Sequence, residues 1–351
     1  MITTLLGLAL TVIPPVSTDA PNRQPQLASS GKLVALVYGS GHSILFARST
    51  DGGTTFSKPV PVAELPVLAL GRHRGPRVLF AGKTILVSAI AGASLATGPH
   101  AHGLPSDGDL LLWRSTDNGE SWSKPIKIND SPGAAREGLH AIAANGDGRL
   151  AAVWLDLRAG GTRLYGSSSS DSGLTWSANE KIYESPDGTI CQCCHPSLLS
   201  LGNGEFAVMF RNAVAGKRDM YVARIRDGHV TVAPEKVGKG SWDLNACPMD
   251  GGALAVAEGR LMTAWRRDKD VYVAGIGEGE KRIGTGKDVA MTASGNRLFA
   301  VWTGQDGVQM WSGGEVSILS PSGSFAALAA VEGGALAAWE DNGNIALRRI
   351  P

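Results

Sequence analysis

Seven stretches of the chain repeat one hydrophobic pattern: a short run of alternating apolar positions, a turn containing glycine, and a second apolar run that usually ends in an aromatic residue. They are PQLASSGKLVALVY, GPRVLFAGKTILVSAI, GLHAIAANGDGRLAAVW, HPSLLSLGNGEFAVMF, GALAVAEGRLMTAW, DVAMTASGNRLFAVW and FAALAAVEGGALAAW. Alternation with period two buries one face of a strand, and a glycine turn between two such runs predicts an antiparallel hairpin. From Trp154 the closing aromatics Phe210, Trp265, Trp302 and Trp339 follow at steps of 56, 55, 37 and 37 residues, and Tyr38 precedes Trp154 by 116, or two units. Each unit continues with a third strand, as in SILFARS, DLLLWRS and RLYGSSS, and then a fourth. One four-stranded sheet cannot cover its own faces, whereas sheets arranged radially cover each other. The pattern therefore predicts an all-β fold, a β-propeller of seven four-stranded blades with the tryptophans packed between them.

The seventh unit stops after NIALRRIP and lacks a fourth strand. Closing a ring removes open sheet edges, so a segment near residues 14–24 is expected to supply the missing strand. Ahead of it, the apolar run from Ile2 to Ile13, followed by Pro14, Pro15 and small polar residues, reads as a secretory signal over residues 1–20. That leaves 21–351 as a single propeller domain and predicts a secreted or periplasmic protein. The competing reading makes VIPPVS a strand of the fold. Nothing after residue 30 reaches the roughly 18 apolar residues that span a bilayer, so no stable membrane insertion is expected. Lys and Arg number 33 against 32 Asp and Glu, which gives no field to recruit nucleic acid.

Between third and fourth strands lie STDGGTTF (Ser49 to Phe56), STDNGESW (Ser115 to Trp122) and SSDSGLTW (Ser169 to Trp176). In each, an aspartate (Asp51, Asp117, Asp171) can accept turn amides and a glycine (Gly53, Gly119, Gly173) permits left-handed geometry. This Ser-x-Asp-x-Gly-x-x-aromatic turn resembles the Asp-box, or BNR repeat, of the sialidase superfamily. The resemblance implies six blades, one fewer than the repeat count, and a carbohydrate ligand. Family sialidases hold a carboxylate with three arginines and use a tyrosine nucleophile. Here no arginine before Asp51 stands in an Arg-Ile-Pro context, and no tyrosine follows Tyr272.

In a propeller the first strand of each blade lines the channel, and ligands approach where that strand begins. This converts sequence position into spatial position. Toward that face the topology places His73, Arg74, Arg77, Arg136, Glu137, His140, Cys191, Cys193, Cys194, His195, Asp243, Cys247 and Asp250, with His100 and His102 on a neighbouring loop. All four cysteines thus fall on one face, three of them in the run TICQCCHPSL. Disulfides, a metal site and inert buried thiols compete to explain them. Thiolates with imidazole suit copper, and less well zinc. The run CQCCHPSL with CPMDGG resembles that of exported sialidase-like proteins with a CxCC motif. The first expectation is a channel-mouth metal site built from Cys191, Cys193, Cys194, Cys247, His140 and His195. Arg211, Glu137 and Asp243 would then orient ligands or hold substrate, in a redox or copper-handling protein. The second is a glycoside hydrolase or glycan-binding module, acting on a small-molecule or glycan ligand, with structural disulfides.

Overall fold

Wherever the alternating pattern predicts a hairpin, the computed structural model has one; it describes residues 3–4, 9–98 and 101–351. Seven antiparallel sheets follow one another along the chain, each running from an inner to an outer strand. Blade one is Asn22–Ser30, Leu33–Ser40, Ser43–Ser49 and Val60–Glu64. Blade two is Arg77–Ala81, Thr84–Gly92, Asp109–Ser115 and Ile126–Lys127, with Val67–Leu68 also paired to Thr84–Gly92, at its far end from Arg77–Ala81. The inner strands of blades three to seven are His140–Ala144, Ser197–Gly202, Gly252–Ala257, Lys287–Ser294 and Ser324–Val331. Inner strand Ser324–Val331 packs against Asn22–Ser30, so the ring is closed with seven blades, as the repeat count and not the resemblance implied.

The closing strand differs from expectation. Blade seven takes its outer strand from Thr11–Ile13, antiparallel to Asn344–Ile350, and not from residues 14–24. Ile13 is buried while Leu10 and Val12 are exposed, the alternation of a sheet edge, so the end of the run read as a leader is used as blade structure. A second N-terminal pair, Thr3–Thr4, lies parallel to Ser317–Ser320 of blade six.

The hydrophobic core is divided as the ring requires. Seven apolar clusters among the described residues each join two adjacent blades, from Leu36 with Leu336 between blades one and seven to Phe299 with Trp339 between six and seven. Trp154, Trp302 and Trp339 are fully buried in these seams, which supports the packing role.

The three Asp-box turns are hydrogen-bonded in the same way. Asp117 Oδ1 accepts from the amides of Glu120 and Ser121 and from the Ser115 hydroxyl, while Ser121 Oγ donates to Oδ2. Thr55 and Thr175 repeat that last bond to Asp51 and Asp171, at 2.6 Å each. The hydroxyls of Thr55 and Ser121 are the main reason the Asp51 and Asp117 carboxyls sit well below the usual range. Each turn also locks two blades together: Gly53, Gly119 and Gly173, at φ of 88°, 87° and 81°, press against Leu336, Phe46 and Leu112 of the preceding blade, where a Cβ would clash. Arg48 and Arg114 reach across to the main-chain oxygens of Asn118 and Ser172 in the next turn.

Candidate functional site at the channel mouth

The starts of the inner strands are irregular where the turns on the other face are uniform. In blades one, six and seven the pairing register slips at Arg23/Gln26, Lys287/Ala290 and Ser324/Ala327, and Gln24, Asp288 and Phe325 adopt left-handed φ values of 55°, 60° and 52°. Such bulges re-aim side chains, and a non-glycine residue held there costs on the order of 1 kcal/mol or more. His73, in the loop before the blade-two inner strand, is also left-handed at 67°.

These distortions bring residues of different blades together. His73 Nε2 lies 2.9 Å from Asp288 Oδ1, its ring stacks on His195 at 4.2 Å, and Phe325 meets it edge-on at 5.2 Å. The Asp288 amide donates to Asp250 Oδ2 at 3.2 Å, and Arg266 Nη1 stands 3.9 Å from the same oxygen. His73, Arg77, His195 and Asp288 line a channel cavity of about 230 Å³. Gly251 is required beside it, because a Cβ there would strike the main-chain oxygen and ring of His195.

The two carboxylates are pushed in opposite directions. Burial, reinforced by the charge of Asp288, raises the Asp250 carboxyl to about 6. Asp288 is buried too, yet the hydrogen bond and charge of His73 outweigh that burial and hold it below the ordinary range. Burial, with His73 and Arg77 nearby, keeps His195 neutral, well below the usual histidine value. Asp250 Oδ1 is buried without a hydrogen-bond partner, the kind of exception that accompanies functional sites.

The cysteine run behaves in part as the sequence suggests. Cys191, Cys193 and Cys194 are buried together as free thiols, their sulfurs 3.4 to 3.9 Å apart, with Met249 packed against them. Cys247 does not join them: it is exposed, in a loop that turns its side chain to solvent. His140 is likewise outside the group, fully buried with Nε2 bound to Ser88 Oγ at 2.9 Å, a packed histidine. His195, though next to Cys194, stacks on His73 and is not grouped with the sulfurs.

The three residues expected to orient ligands are dispersed. Arg211 is buried, and its guanidinium donates to the main-chain oxygens of Asp250, Arg218 and Arg266, so it ties loops together. Glu137 lies 3.7 Å from Arg74, and Asp243 is exposed, its backbone in an isolated antiparallel pairing with that of Lys217. His100 falls outside the described residues. Asp288 and Phe325 were missed, although Asp288 opens the sixth repeat, DVAMTASG, at the position that reaches the channel mouth.

Residues 106–254 match the family model described as a BNR repeat-like domain. The fold is a seven-bladed β-propeller that carries this BNR repeat-like domain. Among solved structures, this propeller resembles an ulvan lyase bound to -[GlcA(1-4)Rha3S]- (TM-score 0.57, 11% identity, 97% of this chain and 96% of that one). It also resembles the Penicillium chrysogenum α-L-arabinanase complexed with arabinobiose (TM-score 0.55, 12%, 98% of each chain). A third likeness is to the leech intramolecular trans-sialidase (TM-score 0.55, 11%, 93% and 66%). At such identities the likeness is one of fold. No curated protein matches the chain. Two of the arginines at this mouth are held by main-chain oxygens: Arg211 as above, and Arg77 by those of His73, Gly75 and Pro76.

Proposed function

We propose that the channel mouth binds a carbohydrate and cleaves a glycosidic bond by acid–base chemistry, with His73 as the group that exchanges the proton. The observation that carries this reading is the His73–Asp288 contact at 2.9 Å on the wall of the channel cavity. A carboxylate bound to one imidazole nitrogen fixes the ring and its tautomer, leaving the other nitrogen to work. Asp250 serves that pair from behind: holding its own proton up to about pH 6, it spares Asp288 a second adjacent negative charge. His195 stacks on His73 and Phe325 meets it edge-on, so the working ring sits in an aromatic cluster at the cavity wall. Solved propellers of the same architecture are carbohydrate enzymes, an arabinanase, an ulvan lyase and a trans-sialidase, which favours a glycan over a redox substrate.

The test is turnover on a panel of uronate-containing, arabinose-containing and sialylated oligosaccharides. Release of a reducing end signals hydrolysis, and an ultraviolet-absorbing unsaturated uronate signals elimination. His73→Ala is expected to lower kcat about 100-fold or more on whichever substrate is cleaved. Full activity in that variant, or no turnover on any class, would overturn the reading.

A further inference from the structure

We propose that Cys191, Cys193 and Cys194 form a three-thiolate site for a single copper(I) ion, adjoining the carbohydrate site, which it meets in the chain at Cys194–His195. The sulfurs stand 3.6, 3.4 and 3.9 Å apart. With those edges, the point equidistant from all three in their own plane lies about 2.1 Å from each, and an ion at the roughly 2.3 Å of a metal–thiolate bond sits about 0.9 Å out of that plane. Three thiols brought together by a four-residue run therefore already have the spacing of one ion's coordination shell. No large rearrangement is needed to load it.

The surroundings select the ion. Cys191, Cys193 and Cys194 are buried, and the apolar side chain packed on them is that of Met249, whose sulfur accepts from Arg72 Nη1 at 3.2 Å. Soft sulfur surroundings favour copper(I), whereas zinc wants a fourth nitrogen, oxygen or thiolate ligand. Cys247, the remaining cysteine, is exposed and outside the group. Charge points the same way. Three thiolates around a monovalent ion leave two negative charges, and two guanidiniums act on these sulfurs: Arg211 on Cys191 and Cys194, and Arg74 on Cys193 and Cys194. Arg211 makes no ion pair with any carboxylate among the described residues; its charge acts on Asp250 as well as on the sulfurs. Loading exchanges three S–H bonds for three S–Cu bonds and releases three protons, with no change in copper oxidation state.

The experiment uses the full chain, reduced and free of metal, titrated anaerobically with copper(I) against a chromophoric copper(I) chelator. One equivalent is expected to bind, with a near-ultraviolet thiolate-to-copper band and an X-ray absorption shell of sulfur alone near 2.3 Å. Cys193→Ser and Cys194→Ser are each expected to weaken copper(I) about 100-fold or more, and Cys247→Ser less than about threefold. Circular dichroism checks that each variant folds, and the titration of the unaltered chain decides the matter even if they do not. Failure to hold copper against the chelator would overturn the proposal. So would displacement of bound copper by an equivalent of zinc, or a thiol count showing that Cys191 and Cys194 are oxidised to a disulfide in the protein as it folds. Turnover of a glycan by metal-free protein leaves the carbohydrate reading intact in either case.

Discussion

The two faces of the ring are built on opposite principles. On the Asp-box face, three turns repeat the same residues and the same bonds, each aspartate saturated by local amides and hydroxyls. On the channel-mouth face the described residues follow no common motif: a histidine from blade two, another from blade four, and aspartates from blades five and six meet across the axis, with a buried oxygen of Asp250 left unpaired. In a repeat protein, what recurs holds blades together, and departures from the repeat are where chemistry can be placed.

The comparison is broken most severely by substitutions that separate activity from stability. Asp288→Asn keeps the side chain's shape but removes the charge that fixes His73, and should lower kcat about 100-fold, as steady-state kinetics on the identified substrate would show. Its melting temperature should change little. Gly119→Val should do the reverse. It forces a branched side chain into left-handed geometry against Phe46 and should cost on the order of 3 kcal/mol or more in a denaturant titration, with kcat unchanged in whatever remains folded.

A smaller effect distinguishes the faces by pH. Asp171, which the Thr175 hydroxyl and amide hold down to about 2 against the cost of burial, contributes stability above the unfolded carboxylate value near 4, and loses it as pH falls toward 2. Asp250 has the opposite sign. Raised to about 6, it binds more protons folded than unfolded, so its ionisation subtracts stability as pH rises from about 4 to about 6. Melting curves across that interval should show Asp250→Asn gaining on the parent chain by a few degrees as pH rises. Asp171→Asn should gain nothing there and should already be less stable at neutral pH. A gain for both variants, or for neither, would remove the distinction.

Much of the architecture was legible because each blade announces itself within its own 37 to 58 residues: alternation, glycine turn, closing aromatic and, three times, the Asp-box. Thr11–Ile13 was legible only through the competing reading of VIPPVS as a strand, which overlaps it at Val12 and Ile13, since a three-residue outer strand carries too little alternation to stand out from the apolar run that contains it. The grouping of Cys191, Cys193 and Cys194 was readable from adjacency in the chain. The His73–Asp288 pair was not, because its partners are 215 residues apart and meet only through a closed ring and a bulge that turns Asp288 into left-handed geometry. The hydroxyl donors Thr55, Ser121 and Thr175 were hidden for a simpler reason: the motif leaves their position open, and only the geometry shows that it is bonded.

The central claim, that the irregular face acts on carbohydrate through His73 held by Asp288, is tested most directly by one double-mutant cycle. Cleavage of the best oligosaccharide would be measured for the parent chain, His73→Ala, Asp288→Asn and the pair. If the two residues act as one unit, the double variant should be no slower than His73→Ala alone within about threefold. Losses that multiply, with the double variant slower by the product of the single effects, would contradict it.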